Sequence, residues 1–187
     1  HSMIALGLLA KEPDLRKKIL GDDDPAPNLD QCRVVGFNGR NTDAAGGIWG
    51  SLAEQLGKSE QFASYISPLL SAPGPEAWKQ LLGGDPLVLF LDELPPYLEY
   101  AVSVPVGNAD LSVVTTAALG NLFVAVAEMD NVCLVLSDLA GTNFSVGQDA
   151  LNRAIHGITS ESKRIAVPIT PVNPNGDELY HILRKRL

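Results

Sequence analysis

The feature that most limits what this chain can fold into is the segment Pro86-Leu-Val-Leu-Phe-Leu-Asp92-Glu93. Every residue from Leu87 to Leu91 is apolar, so no alternation assigns one face of the segment to water. A run of this kind, opened by proline and closed by two acids, reads as a strand buried on both faces, as in a parallel sheet covered by helices. Val132-Cys-Leu-Val-Leu136 is a second such run and ends in Ser137-Asp138; Arg33-Val-Val-Gly-Phe37 is a shorter one. Helical spacing fills the intervals: Ile48 to Leu56, Phe62 to Leu70, Glu76 to Leu82 and the long Leu111 to Met129, with the Ala72-Pro-Gly-Pro75 turn between the second and third. Further on, Gln148 to His156 reads as a helix, and Ile165 to Ile169 as a fourth strand that Pro168 moves towards an edge. Asp177 to Leu187 reads as an amphipathic helix. At the other end an apolar helix-like run from Met3 continues towards Ile19, with Pro13 at a kink or a new first turn, before the acidic, Pro-rich loop Gly21 to Asn28. Strands alternating with helices, without an internal repeat or linker, predict a three-layer α/β domain with a parallel sheet.

Charge and composition narrow the function. A formal net charge of −8 argues against a main phosphate-tracking surface, since such surfaces need clustered Lys and Arg; dense basic stretches are short, as at Lys163-Arg164 and Arg184-Lys185-Arg186. The apolar stretch Leu111 to Met129 is broken by Ser, Thr, Asn and Glu, which argues against a membrane span. Cys32 and Cys133 lack metal-ligand spacing and are expected to be buried free thiols of a cytoplasmic protein. The histidines, at positions 1, 156 and 181, form no cluster.

The chemistry concentrates where the apolar strand ends. In open parallel sheets ligands bind outside the carboxyl ends of the strands. An aspartate there, Asp92, can hold a hydrated Mg²⁺, an ion that keeps several waters and takes few protein ligands. The next residue, Glu93, points differently and can orient a water for in-line attack on a phosphoryl group. The plainer alternative is an acidic residue capping the helix that follows. Ser137, at the end of the second apolar strand, stands where a group contacting a terminal phosphate belongs, with Asp138 competing for that role. Arg153 and Arg164 are candidates for an arginine acting on a neighbour's nucleotide, against plain surface roles: Arg153 in an i,i+4 pair with Asp149, and Arg164 in a charge cluster with Glu161. Asn38 and Arg40 either face the same crevice or merely close a turn. Trp49 and Trp78 are expected to pack.

The order of these segments resembles the core of AAA+-type P-loop ATPases. Leu87 to Glu93 looks like a Walker B strand, the strand ending at Ser137 is similar to the one carrying sensor 1, and Pro171 to Leu187 resembles the entry into the helical lid. More narrowly, IWGSLAEQLG, LVLFLDELPPYLEY and the closing RKRL are similar to large ATPases of bacterial and archaeal anti-phage systems of the BREX and phage-growth-limitation kind. The resemblance implies a core over residues 1–170, a lid entry over 171–187, and ATP with Mg²⁺ as cofactors. It also implies assembly as a homo-oligomer or within a larger multidomain protein, with nucleic acid reached through other domains. In these terms Asp92 holds the metal, Glu93 activates water, Ser137 and Asp138 meet the nucleotide, and Arg164 acts across a subunit interface. One departure stands out. G-x-x-x-x-G-K-S/T, whose backbone N–H groups and lysine hold the phosphates, is absent: Gly46-Gly47 lacks a following Lys, and Gly83-Gly84 precedes a strand. Residues 1–3 followed by an apolar helix resemble what comes directly after G-K-T, so the chain is expected to lack the P-loop strand. The competing reading takes His1-Ser2 as a tag remnant and Met3 as the initiator.

Overall fold

The computed structural model describes residues 7, 9, 11–21, 29–40, 46–137 and 145–156. An N-terminal helix, α1 (Pro13–Leu20), begins on Pro13, so the proline starts a helix rather than kinking one. The body follows as strand β1 (Arg33–Asn38), helices α2 (Gly47–Leu56), α3 (Ser59–Phe62) and α4 (Pro75–Leu82), and strand β2 (Leu87–Asp92). Helix α5 (Leu94–Ala101), a small hairpin of β3 (Pro105–Val106) and β4 (Ala109–Asp110), the long α6 (Leu111–Ala127), β5 (Val132–Ser137) and α7 (Ser145–His156) complete the described chain.

Among the described residues the main sheet has three strands in the order β1-β2-β5, every pair parallel. Parallel neighbours need long crossovers, and the helices supply them: α2 to α4 between β1 and β2, α5 and α6 between β2 and β5. The described residues are thus α/β with a parallel sheet. Along β2 the cover is unequal. Leu87, Leu89 and Leu91 are buried, whereas Val88, Phe90 and Asp92 are only half-buried. The all-apolar run therefore overstated its enclosure, and the side carrying Asp92 is the more open one. Strand β5 is more open still: none of its residues is buried, and Cys133 is exposed. Cys32 is half-buried and Cys133 exposed, neither in a disulfide, so the expectation of buried thiols fails. An apolar neighbourhood in sequence does not bury a residue whose side of the sheet is left partly uncovered.

The core lies between the sheet and its helices, centred on Trp49, Trp78, Leu89, Leu91, Leu119 and Leu122, all fully enclosed. Both tryptophans pack as expected and satisfy their one donor. Trp78 Nε1 donates to the Ala118 carbonyl of α6 at 2.9 Å, and Trp49 Nε1 to the Tyr65 carbonyl at 3.1 Å. Lys58 fastens α4 by donating from Nζ to the carbonyls of Gln80, Leu81 and Gly83 at 2.9, 2.8 and 3.0 Å. Those carbonyls lie at the helix's C-terminal end, where a cation also meets the negative end of the helix dipole. On the outer edge of β1 the Gln55 side-chain amide takes the place of a neighbouring strand. Its Oε1 accepts from Gly36 N at 3.0 Å, and its Nε2 donates to Gly36 O at 2.8 Å.

Elsewhere the elements differ from the sequence reading. Helical spacing from Phe62 to Leu70 does not yield one helix: α3 ends at Phe62 and a single 3₁₀ turn covers Ala63–Tyr65. Pro68 explains the stop, since it offers no N–H and disfavours helical backbone at Ser67. Conversely, Leu94-Pro95-Pro96 opens α5, because prolines fit a first turn whose N–H groups have no partner inside the helix. The β3–β4 hairpin, turning on Gly107 at φ 60°, is too short to show a period in sequence. Asp110 then caps α6, its carboxylate accepting from Val113 N at 3.0 Å. Among the described residues no helix is long and apolar enough to cross a membrane.

Candidate functional site

Parallel register decides the geometry of the site. Asn38 pairs with Asp92, and Asp92 with Ser137, so the last residues of the three strands stand abreast at one end of the sheet. Residues in register on neighbouring strands share a face, so the three side chains emerge on the same side of the sheet. Asp92, at the centre, has no side-chain hydrogen bond or ion pair among the described residues and is half-buried.

Beyond the row, two backbone contacts lock the chain's exits together and one side chain closes a turn. Gly39 N donates to the Asp92 carbonyl at 2.7 Å, and Glu93 N to the Ser137 carbonyl at 3.3 Å. Asn38 Oδ1 accepts from Arg40 N at 2.8 Å, closing the turn that follows β1. Gly39 is required by the first of these approaches: a Cβ on it would lie 1.9 Å from the Glu93 carbonyl oxygen. Glu93 has φ 50° and ψ 47°, the one left-handed non-glycine among the described residues. Such a conformation costs about 1–2 kcal/mol in a residue bearing a Cβ, and it turns the side chain away from the strand direction.

That turn carries the Glu93 carboxylate to Arg40. Arg40 Nε donates to Glu93 Oε2 and Nη2 to Oε1, the latter at 3.2 Å, in a forked ion pair. Hydrogen bonding from Arg40 holds the Glu93 carboxyl below its ordinary 4.5, while burial opposes the shift. In return Glu93, by hydrogen bond and charge, raises the guanidinium above its ordinary value, with a smaller contribution from the charge of Asp92. The helix-capping alternative for the acidic pair is not what the structure has. Glu93 occupies the N-cap position of α5, yet its side chain makes no cap hydrogen bond.

No family model, curated protein or solved structure matches this chain. The site therefore rests on its own geometry. Asp92, Glu93 and Ser137 are brought together at one sheet end as expected. Asp138 and Arg164 lie outside the described residues, as do the expected strand at 165–169 and the expected tail helix. Arg153 is exposed on α7 and makes no ion pair with Asp149 among the described residues; its charge acts on Asp110. Arg40 and Asn38, weighed between crevice and turn, do both: one side chain closes the turn and the other clamps Glu93. Gly39 was missed. Its signal was the Asn38-Gly39 pair after a strand, which marks a tight turn but does not say what the turn approaches.

Beneath this end of the sheet, the Tyr97 ring of α5 meets Phe37 of β1 edge-on, centroids 5.1 Å apart. Its hydroxyl is buried near Thr115 Oγ1, but neither oxygen forms a hydrogen bond of acceptable geometry. Burial pushes the Tyr97 phenol up to about 12.

The donor set also limits what can be held there. Among the described residues no group of three or more His, Cys, Asp and Glu could hold a metal ion. One unpaired carboxylate beside one hydroxyl does not make a closed cage. It suits a hard cation that arrives with phosphate and water ligands of its own, as Mg²⁺ does.

Proposed function

We propose that this chain is the hydrolytic part of an AAA+-type ATPase core, in which ATP hydrolysis drives remodelling of a protein or nucleic-acid partner. The observation that carries this reading is the row Asn38–Asp92–Ser137 at the carboxyl ends of a parallel sheet, with Glu93 directly beyond it. Asp92, central and without a side-chain partner among the described residues, is the residue to hold a magnesium ion through one carboxylate. Ser137 lies one strand away with a hydroxyl able to donate to a phosphoryl oxygen. Glu93 is the base or water-positioning residue, set off the strand line by its left-handed backbone. When bound, Mg²⁺ supplies charge neutralisation at the phosphoryl oxygens. Asp138 joins Ser137, and Arg164 reaches a neighbouring subunit, as further parts of the proposal. The anti-phage setting and assembly as a homo-oligomer or within a larger protein extend it.

The same sequence lacks a phosphate-holding loop, and the outer edge of β5 has no strand beside it among the described residues. In this reading a preceding P-loop segment supplies both. The decisive experiment compares this chain with an N-terminally extended one for Mg²⁺-ATP binding and turnover. The extended chain is expected to turn ATP over, and Glu93→Gln to abolish turnover while leaving binding intact. Turnover unchanged by Glu93→Gln sinks the mechanism. The missing loop also favours a second reading, a non-catalytic assembly module derived from the same fold. Failure of the extended chain to bind Mg²⁺-ATP would establish that one.

A further inference from the structure

Glu93 keeps a left-handed backbone, which a residue bearing a Cβ holds only where its surroundings over-determine it. Gly39 supplies one such contact, at the Glu93 carbonyl. A second comes from α7. A Cβ on Gly147 would lie 2.1 Å from the Pro95 carbonyl oxygen and 3.1 Å from Glu99 N, so the backbone of α7 rests directly on the first turn of α5. Gly147 is buried, and its N–H, one of the first in α7 without a partner inside that helix, donates to Glu99 Oε2 at 2.7 Å. The carboxylate also meets the positive end of the α7 dipole. Glu99 thereby latches α7 onto α5. The path from this contact to Glu93 is short and stiff. Pro95 and Pro96 have φ fixed at about −65° and cannot absorb a displacement by rotating there. Leu94, fully enclosed, has no room to take it up either, so a shift at the Pro95 carbonyl passes to Glu93.

We propose that Gly147, latched by Glu99, is a positioning residue for Glu93: the first turn of α7 braces α5 and so fixes the corner that aims the Glu93 carboxylate. The consequence for turnover rests on the ATPase reading; the mechanical coupling does not. Two glycines from distant parts of the chain act on one corner. Gly39 belongs to the exit of β1 and Gly147 to the helix that follows β5, so the segments after Asn38 and after Ser137 both bear on the residue after Asp92. A movement of α7 along α5 reaches Glu93 without any side chain of α7 entering the site.

The test is amide hydrogen exchange by NMR on this chain, with steady-state kinetics on the N-terminally extended one, for Glu99→Ala, Glu99→Gln and Gly147→Ala. Glu99→Ala removes the latch and leaves both glycines in place, while Glu99→Gln keeps an acceptor for Gly147 N. In Glu99→Ala, exchange at the Gly39 and Glu93 amides, bonded to the Asp92 and Ser137 carbonyls, is expected to rise on the order of tenfold, and Glu99→Gln to restore most of the protection. The Trp78 indole N–H, bonded to the Ala118 carbonyl, reports on the fold between α4 and α6 and should keep its rate. In the extended chain Glu99→Ala should lower kcat about tenfold and leave KM for Mg²⁺-ATP unchanged, because the base is misaimed while the ligand is still held. Gly147→Ala should exceed Glu99→Ala in both readouts, and the two Glu99 variants decide the matter where it fails to fold. Unchanged exchange at Gly39 and Glu93, or a rise matched at Trp78, overturns the brace. Faster exchange with an unchanged kcat overturns the positioning role. No turnover by the extended wild-type chain overturns the ATPase reading alone, because exchange still decides the coupling.

Discussion

Two basic side chains, Lys58 and Arg40, show how differently the fold uses a positive charge. Lys58 is half-buried and spends all three of its donors on backbone carbonyls at the end of α4. Those acceptors cannot move without unwinding the helix, so the lysine is a fixed fastening. Arg40 is exposed and faces one carboxylate that has its own backbone anchor. A contact to backbone is a part of the fold; a contact between two side chains at a sheet end is open to solvent and salt. The contrast predicts that stability follows Lys58 and depends little on Arg40.

The largest effect is expected where the two categories meet, at Gly39. It belongs to the Arg40 turn, but its contact is to backbone: Gly39→Ala would press a methyl to 1.9 Å from the Glu93 carbonyl oxygen. Relief requires moving either β1's exit or the start of α5, at a cost of about 4 kcal/mol or more, in the range reserved for named structural failures. Thermal unfolding of the variant, or its failure to accumulate as folded protein, checks this. A near-native midpoint would show that the turn yields and that Arg40's main chain is not fixed.

Lys58→Met comes next. It keeps the apolar stem and leaves three carbonyls to find water, one of them at the very end of α4. A loss of about 2 kcal/mol is expected, typical of hydrogen bonds to a charged group, read as a lower urea midpoint. Mg²⁺-ATP binding by the extended chain should not change, since Lys58 fastens the segment just ahead of β2, at the opposite end of that strand from the row. A change in affinity without a change in midpoint would erase the distinction between the two cations.

How much of this was legible beforehand follows from what each feature depends on. The strands at 33–38, 87–92 and 132–137 were readable because unbroken apolar runs are a local signal, and the row Asp92–Ser137 followed once two such runs were placed in parallel. Glu93's neighbour was not readable, because the Arg40 contact spans 53 positions and exists only through a left-handed glutamate and a glycine approach. The stop at Phe62 was visible in Pro68, but a helical period overrode it. The open side of the sheet was hidden for a different reason: apolar residues such as Val88 and Cys133 report what the strand can tolerate, not what covers it.

A smaller effect, of opposite sign, is expected at Tyr97, whose hydroxyl is buried without a well-formed hydrogen bond. Tyr97→Phe keeps the edge contact with Phe37 and removes a poorly satisfied polar group, for a gain of about 1 kcal/mol at neutral pH. The phenol is raised from 10.0 to about 12 by burial. A folded value above the unfolded one means stability is intact below pH 10 and falls as pH rises towards 12, because only the unfolded chain ionises. The phenylalanine variant should lack this part of the alkaline loss. Parallel alkaline curves for the two proteins would mean that Tyr97 is already ionisable when folded.

The smallest effect on stability is reserved for Arg40→Gln, and its pH dependence tests the contact with Glu93 as an ion pair. Arg40 holds the Glu93 carboxyl below 4.5, so the pair contributes above that value and is lost as pH falls through the lower folded value. The two proteins should therefore differ slightly in urea midpoint at about pH 7 and converge in acid, once Glu93 is protonated in both states. Added salt at neutral pH should narrow the gap in the same way, because the guanidinium is open to solvent. A gap that persists in acid and in salt would mean that Arg40 acts through its packing or its turn, like a second Lys58. The arginine would then be a fastening as well, and the contrast between the two cations would close.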